Sequence, residues 1–80
     1  MNNQYQVLID ALEFKSFDKL EIKRFDDFSY FIIYVDGNGH VLVDKNGIRK
    51  EYRHAWQITQ WLKEKYKIGS GQIEFSSFKQ

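Results

Sequence analysis

Cysteine and proline are both absent from this 80-residue chain. Without cysteine no disulfide can hold the fold, whereas a small secreted domain usually carries several. The N-terminal stretch also lacks a basic segment followed by an apolar run, so a reducing, cytoplasmic setting is the expectation. Without proline, no kink or X-Pro linker divides the chain, and the one loose-looking segment is Gly69-Ser70-Gly71. No apolar run approaches the roughly 20 residues that cross a bilayer, so a membrane partner is not expected. An excess of charge is missing too: 12 Lys and Arg against 11 Asp and Glu leave +1 with neutral histidines. No global field therefore draws the chain to nucleic acid or a lipid surface. Aromatic rings are what the chain has in quantity, at 18% of residues. They bury large areas per residue, which suits a chain of this size. It buries only about 60 to 65% of its extended surface and has room for one domain with one core.

The stretch from Phe28 to Tyr52 organises the rest. Val35-Asp36-Gly37-Asn38-Gly39 recurs eight positions on as Val43-Asp44-Lys45-Asn46-Gly47. Asp can bond the backbone ahead of it, Asn tolerates left-handed backbone and Gly supplies positive φ, so each copy reads as a tight reversal. The runs around them, Ser29 to Val35, His40 to Val43 and Ile48 to Tyr52, then read as consecutive antiparallel strands. Upstream, Leu20 and Ile22 alternate with Glu21 and Lys23 as a half-buried strand does, and Asp26-Asp27 makes the intervening reversal. Tyr30-Phe31-Ile32-Ile33-Tyr34-Val35 is apolar on both faces, so it belongs inside the sheet. One face meets the helices, and the other is covered by Phe75 and Phe78 or by a second copy of the chain.

A first helix is expected from Asn2 or Asn3, as cap, to about Phe14, burying Tyr5, Leu8, Ile9 and Leu12 at helical spacing. A second runs from about Ala55 to Lys67 and buries Ala55, Ile58, Leu62 and Tyr66, with Trp61 beside them. Gly69 is placed to end it in a left-handed cap. Its start, Arg53-His54, offers no preferred capping side chain. Gln72 to Phe75 reads as a short last strand. The expected fold is α+β: an N-terminal helix, a four-stranded antiparallel meander, a second helix and a short C-terminal strand, with both helices on one sheet face.

From Lys19 to Leu62 the order of signals resembles the DUF6482-type family of small bacterial proteins of unknown function. The shared features are a Leu20-Glu21-Ile22 strand, a strand around Tyr30, an Asp-x-x-Gly reversal at Asp44-Lys45-Asn46-Gly47 and an aromatic-Arg pair at Tyr52-Arg53 leading into a helix. The family usually has Ser after that pair, where it would cap the helix, and here the residue is His54. The resemblance implies no activity, because the family has no assigned chemistry.

His40 and His54, with Asp36 and Asp44, are the only candidates for a metal or acid-base site. Asp36-x-Asn38-x-His40 starts like a calcium loop but lacks its sixth-position glycine and closing glutamate, so these residues read as turn aspartates and surface histidines. No serine or threonine has a motif that sets a base beside it. No catalytic, cofactor or metal residue is expected, and the chain reads as non-enzymatic. Phe14, Phe17, Phe25, Phe28, Trp56, Phe75 and Phe78 lie off the best buried stripes, and such rings are enriched at protein interfaces. The expected function is a protein-interaction module able to form a homodimer. Its surface is expected to comprise Tyr30, Tyr34, Arg49, Arg53, Trp56 and Phe78. The alternative is a single-stranded nucleic-acid binder, stacking bases on Tyr30 and Tyr34 beside Lys23, Arg49 and Lys50.

Overall fold

The computed structural model describes residues 4 to 77; the expected cap at Asn2 or Asn3 and Phe78 lie outside them. The elements are α1 (Gln4–Glu13), β1 (Lys19–Arg24), β2 (Ser29–Val35), β3 (Asn38–Val41), α2 (Ala55–Tyr66) and β4 (Ile73–Ser77), with a 3-10 turn at Ser70–Gln72 before β4. The sheet order is β3-β2-β1-β4, which puts β2 inside, as its two apolar faces require. The α+β class holds, but the sheet is mixed. β1, β2 and β3 are antiparallel neighbours, while β4 joins β1 in parallel. The cause is connectivity. β3 and β1 point the same way, and a strand that follows β3 through a helical crossover keeps its direction.

The segment from Ile48 to Tyr52 is not a fourth meander strand. Continuing the β2–β3 register from Ile32↔Val41 would set Asp44 opposite Ser29; Tyr52 stands there instead. Eight residues are therefore looped out and the chain returns to the same edge of β2. The excursion is closed by the bridge Val43↔Arg49 and by Lys50 N–H donating to Leu42 O at 2.9 Å. The two look-alike reversals consequently differ. Asp36 and Gly37 both have positive φ, 54° and 82°, giving a two-residue hairpin whose twist suits the strands. In the second, Asp44 Oδ1 accepts from Asn46 N–H (2.8 Å) and Ile48 N–H (3.0 Å), and Gly47 alone is left-handed.

Alternation along the strands sends Leu20, Ile22, Phe31 and Ile33 to one side. There they form one core with Leu8, Ala11 and Leu12 of α1 and Ile58, Leu62 and Tyr66 of α2. Ile9, Ala55 and Trp61 border it, as their helical spacing predicts, while Val7 and Phe14 stay exposed. None of the described helices is long and apolar enough to cross a membrane.

Both helices end in a non-glycine left-handed residue, Lys15 (φ 56°) and Lys67 (φ 61°). After each, the next amide reaches back into the helix: Ser16 N–H to Ala11 O (2.9 Å) and Ile68 N–H to Leu62 O (3.2 Å). The expected cap at Gly69 is thus displaced to Lys67. The reason is Ile68: a turn made at 67 carries Ile68 into the core, where it is fully buried, and a turn at 69 would leave it on the helix. Gly69 itself has φ −82° and open space around its Cα. Tyr66 is 6% exposed, and its hydroxyl is buried without a hydrogen-bond partner; burial pushes its pKa up.

Two stability outcomes follow. Tyr66→Phe removes the orphaned hydroxyl and should raise stability by roughly 0.5 to 1.5 kcal/mol in urea unfolding, against an unpaired buried group's cost of about 1 to 3. Lys67→Gly should add about 0.5 to 1 kcal/mol by relieving the left-handed backbone. Gly69→Ala, compatible with φ −82°, should be neutral or stabilising by up to about 1 kcal/mol. A loss of more than that at Gly69 would put the cap back at residue 69.

Candidate interaction surface

The side of the sheet opposite the helices is built by the alternate residues of the same strands. Lys23 sits beside Tyr30, Glu21 beside Ile32 and Lys19 beside Tyr34, while Val41 and Gly39 of β3 flank Ile32 and Tyr34 from the other side. Glu74 and Ser76 of β4 continue the rows past Glu21 and Lys23. Among the described residues no helix lies on this face, since the apolar stripes of α1 and α2 both join the core on the other side. Ile32 is nevertheless 7% exposed and outside that core, so neighbouring side chains on the open face cover it.

Glu21 is the polar centre of this face. Its two carboxylate oxygens accept separately, Oε1 from Tyr34 Oη and Oε2 from Ser76 Oγ, each at 2.7 Å. The carboxylate thereby ties β1 to both its neighbours. The Ser76 bond first, then the Tyr34 bond and the charges of Lys23 and Lys19, outweigh desolvation and hold its pKa below the ordinary value of 4.5. The same bond to Glu21 raises the Tyr34 pKa. The Tyr34 ring needs the glycine beside it: a Cβ at residue 39 would stand 2.8 Å from its Cε2. Lys19 Nζ lies 4.7 Å from the ring centroid and 3.6 Å from Glu74 Oε1.

At the other end of the face, Phe25 stacks on Phe28 (centroids 4.9 Å apart) and on Tyr30 (5.4 Å). The Arg49 guanidinium reaches over Tyr30 at 4.8 Å and Phe28 at 5.7 Å, while its Nη2 pairs with Glu51 Oε2 at 2.7 Å. Phe25 is also one wall of an adjoining cleft of about 670 Å³ between the β1–β2 turn and the start of α2, with Arg24, Asp26, Arg53, His54 and Trp56 among its lining. Trp56 is 59% exposed and stacks on His54 (6.2 Å). The start of α2 is partly capped after all, because Gln57 Oε1 accepts from His54 N–H at 3.0 Å.

The residues expected to form a surface therefore fall in two adjoining places. Tyr30, Tyr34 and Arg49 share the open face, Arg53 and Trp56 line the cleft, and Phe25 belongs to both. Phe75 does not cover the open face. It stands in the row of Ile22 at the β4 edge, 51% exposed, because parallel pairing sets it on the helix side. Lys50 is not beside Tyr30 either; it lies over Tyr52, 5.4 Å from that ring. The histidines are apart. His40 borders a groove with Gln4, Val7 and Leu8, and His54 lies at the cleft. Among the described residues no group of His, Cys, Asp or Glu is placed to hold a metal. Sequence reasoning missed Glu21 and Ser76 as site residues. The alternation of β1 signals Glu21's face, but nothing local signals that β4 will dock beside it.

Glu21→Gln tests the centre of the face. A carboxylate with a lowered folded pKa stabilises fully above its unfolded value, and that contribution disappears as pH falls through the folded one. The wild-type melting temperature should therefore drop more steeply than that of Glu21→Gln between about pH 5 and 3. At pH 7 the variant should be less stable by about 0.5 to 1 kcal/mol, a small figure because the group is partly exposed. Parallel pH profiles would remove Glu21 from this role.

No protein family matches the chain, and neither a curated protein nor a solved structure does.

Proposed function

We propose that this chain is a non-enzymatic cytoplasmic module that acts through protein contacts on the open sheet face, with a second copy of itself as partner. The observation that carries this reading is the face itself: a central apolar strip of Ile32 and Val41, framed by Tyr30, Tyr34, Phe25 and Phe28, without a helix on it among the described residues. The face also carries both signs of charge, Lys19, Lys23 and Arg49 with Glu21 and Glu74. A twofold pairing of such a face sets unlike charges within reach of one another. The net charge of +1 adds little repulsion between copies.

This reading is preferred to single-stranded nucleic acid for two reasons. Tyr30 and Tyr34 already have cations, Arg49 and Lys19, over their rings, where bases would have to stack. Glu21 and Glu74 also sit in the rows a phosphate backbone would follow.

Size sets the strength. Four strands at about 4.8 Å spacing and five residues at about 3.4 Å give roughly 300 Å² of flat footprint, well under the ~800 Å² per partner of a standard interface. Association should be weak. Sedimentation equilibrium from about 10 µM to 1 mM should show a monomer–dimer equilibrium with Kd on the order of 100 µM. Val41→Lys, on an edge strand and only half-buried, should abolish it while leaving the melting temperature within a few degrees. A strict monomer at about 1 mM removes the self-association reading, and a steeply salt-dependent affinity for single strands would favour nucleic acid instead.

A further inference from the structure

The eight-residue excursion after β3 does more than return the chain to β2. Between it and the helices lies a cavity of about 430 Å³, in the range that holds a small organic ligand. Its walls come from three places: Tyr5 and Ile9 of α1, Trp61 of α2, and Leu42 and Tyr52 at the two ends of the excursion. Leu42 belongs to the core, and Ile9, Tyr52 and Trp61 pack against it, so the floor is fixed by the fold. Tyr52 is half-buried, and burial raises its pKa.

The charges around this cavity are predominantly positive, three lysines against one carboxylate. Lys45, Lys50 and Lys65 line it and are exposed, and among the described residues none has a carboxylate within ion-pair distance. Lys50 rests over Tyr52 and Lys65 over Tyr66, at 5.4 and 5.9 Å, contacts worth only about 0.5 to 1 kcal/mol at exposed sites. The single carboxylate in the lining, Asp44, has its Oδ1 engaged by two backbone amides of the turn.

We propose that this cavity binds a small amphipathic organic anion, an aromatic carboxylate whose ring lies between Tyr52 and Trp61 and whose charge meets the lysines. A neutral apolar ligand would gain nothing from the lysines, an inorganic anion would leave the rings uncovered, and a cation would be repelled by the net positive lining. Charge-assisted hydrogen bonds are about twice as strong as neutral ones, so the carboxylate should discriminate clearly from its alcohol isostere.

The chain carries an internal control, since Trp61 lines this cavity and Trp56 lines the separate cleft. Titration of the ¹⁵N-labelled protein with 1-naphthoate should shift the Trp61 indole N–H saturably and leave that of Trp56 in place. 1-Naphthalenemethanol should bind about tenfold or more weakly, and 1-naphthylmethylammonium should give no saturable shift. Lys45→Gln, Lys50→Gln and Lys65→Gln together, all exposed side chains, should bring naphthoate down to the affinity of the alcohol. Equal affinities for acid and alcohol in the wild type, shifts centred on Trp56, or no saturation up to millimolar naphthoate would each overturn the proposal. The cavity lies on the helix side of the sheet, and the Trp61 shift can be read in the monomer, so failure of this proposal and failure of self-association are told apart.

Discussion

Among the described residues, helix is available for only one face of this sheet. The stripe Leu8, Ala11 and Leu12 and the stripe Ile58, Leu62 and Tyr66 both face Leu20, Ile22, Phe31 and Ile33, and no further described helix remains for the other side. Yet β2 alternates apolar residues in both directions, so Tyr30, Ile32 and Tyr34 are committed to the uncovered side by the same period that buries Phe31 and Ile33. A one-residue slip would exchange the two sets without removing the problem. The rest of the molecule is arranged around that imbalance.

On the open side the chain reduces the exposed apolar area with contacts that a polar environment tolerates. Ile32 is shielded by larger neighbours, and the rings beside it carry cations over them, Lys19 on Tyr34 and Arg49 on Tyr30. The absence of a side chain at Gly39 lets the Tyr34 ring lie against β3, a known way for an aromatic to cover a glycine in a sheet. Glu21 then fixes Tyr34 from β1 and Ser76 from β4. Each device leaves water access at the rim while holding the rings still. Order of that kind lowers the entropy cost of docking a partner.

Much of the architecture can be read from the sequence because it depends on local rules. Helical spacing at Leu8 and Leu12 and at Ile58, Leu62 and Tyr66, alternation at Leu20 and Ile22, and positive-φ residues at Asp36-Gly37 each act within a few positions. The failures all involve distance or competition. Ile48 to Tyr52 has strand-like composition, yet Tyr52 finds its partner at Ser29 on β2, a choice that depends on the length of the excursion. The parallel docking of β4 is decided by the crossover through α2. That docking moves Phe75 to the helix side and delivers Ser76 to Glu21. At the end of α2 the propensity of Gly69 for left-handed backbone loses to the burial of Ile68, worth about 2 kcal/mol or more, and Lys67 takes the strained position. Trp56 is exposed, as its place off the buried stripe suggests, but Arg24 and Phe25, which line the cleft with it, come from where β1 ends, some thirty positions away.

The excursion connects the two surfaces. Residues 49 to 52 are extended and alternate in direction: Arg49 lies over Tyr30 and Phe28 on the open face, and Glu51 pairs with it. Lys50 and Tyr52 line the cavity on the other side. This stretch is held by the reciprocal bonds between Ser29 and Tyr52, by Lys50 N–H to Leu42 O and by Asp44 N–H to Ile48 O. It is a few bridges and no continuous ladder. Segments secured in that way open at lower free energy than the strands beside them. Lys50 and Tyr52 at the cavity and Arg49 on the open face are therefore carried by the same few residues of backbone. The open face and the cavity thus draw side chains from one short extended segment, Arg49 on one side of it and Lys50 and Tyr52 on the other.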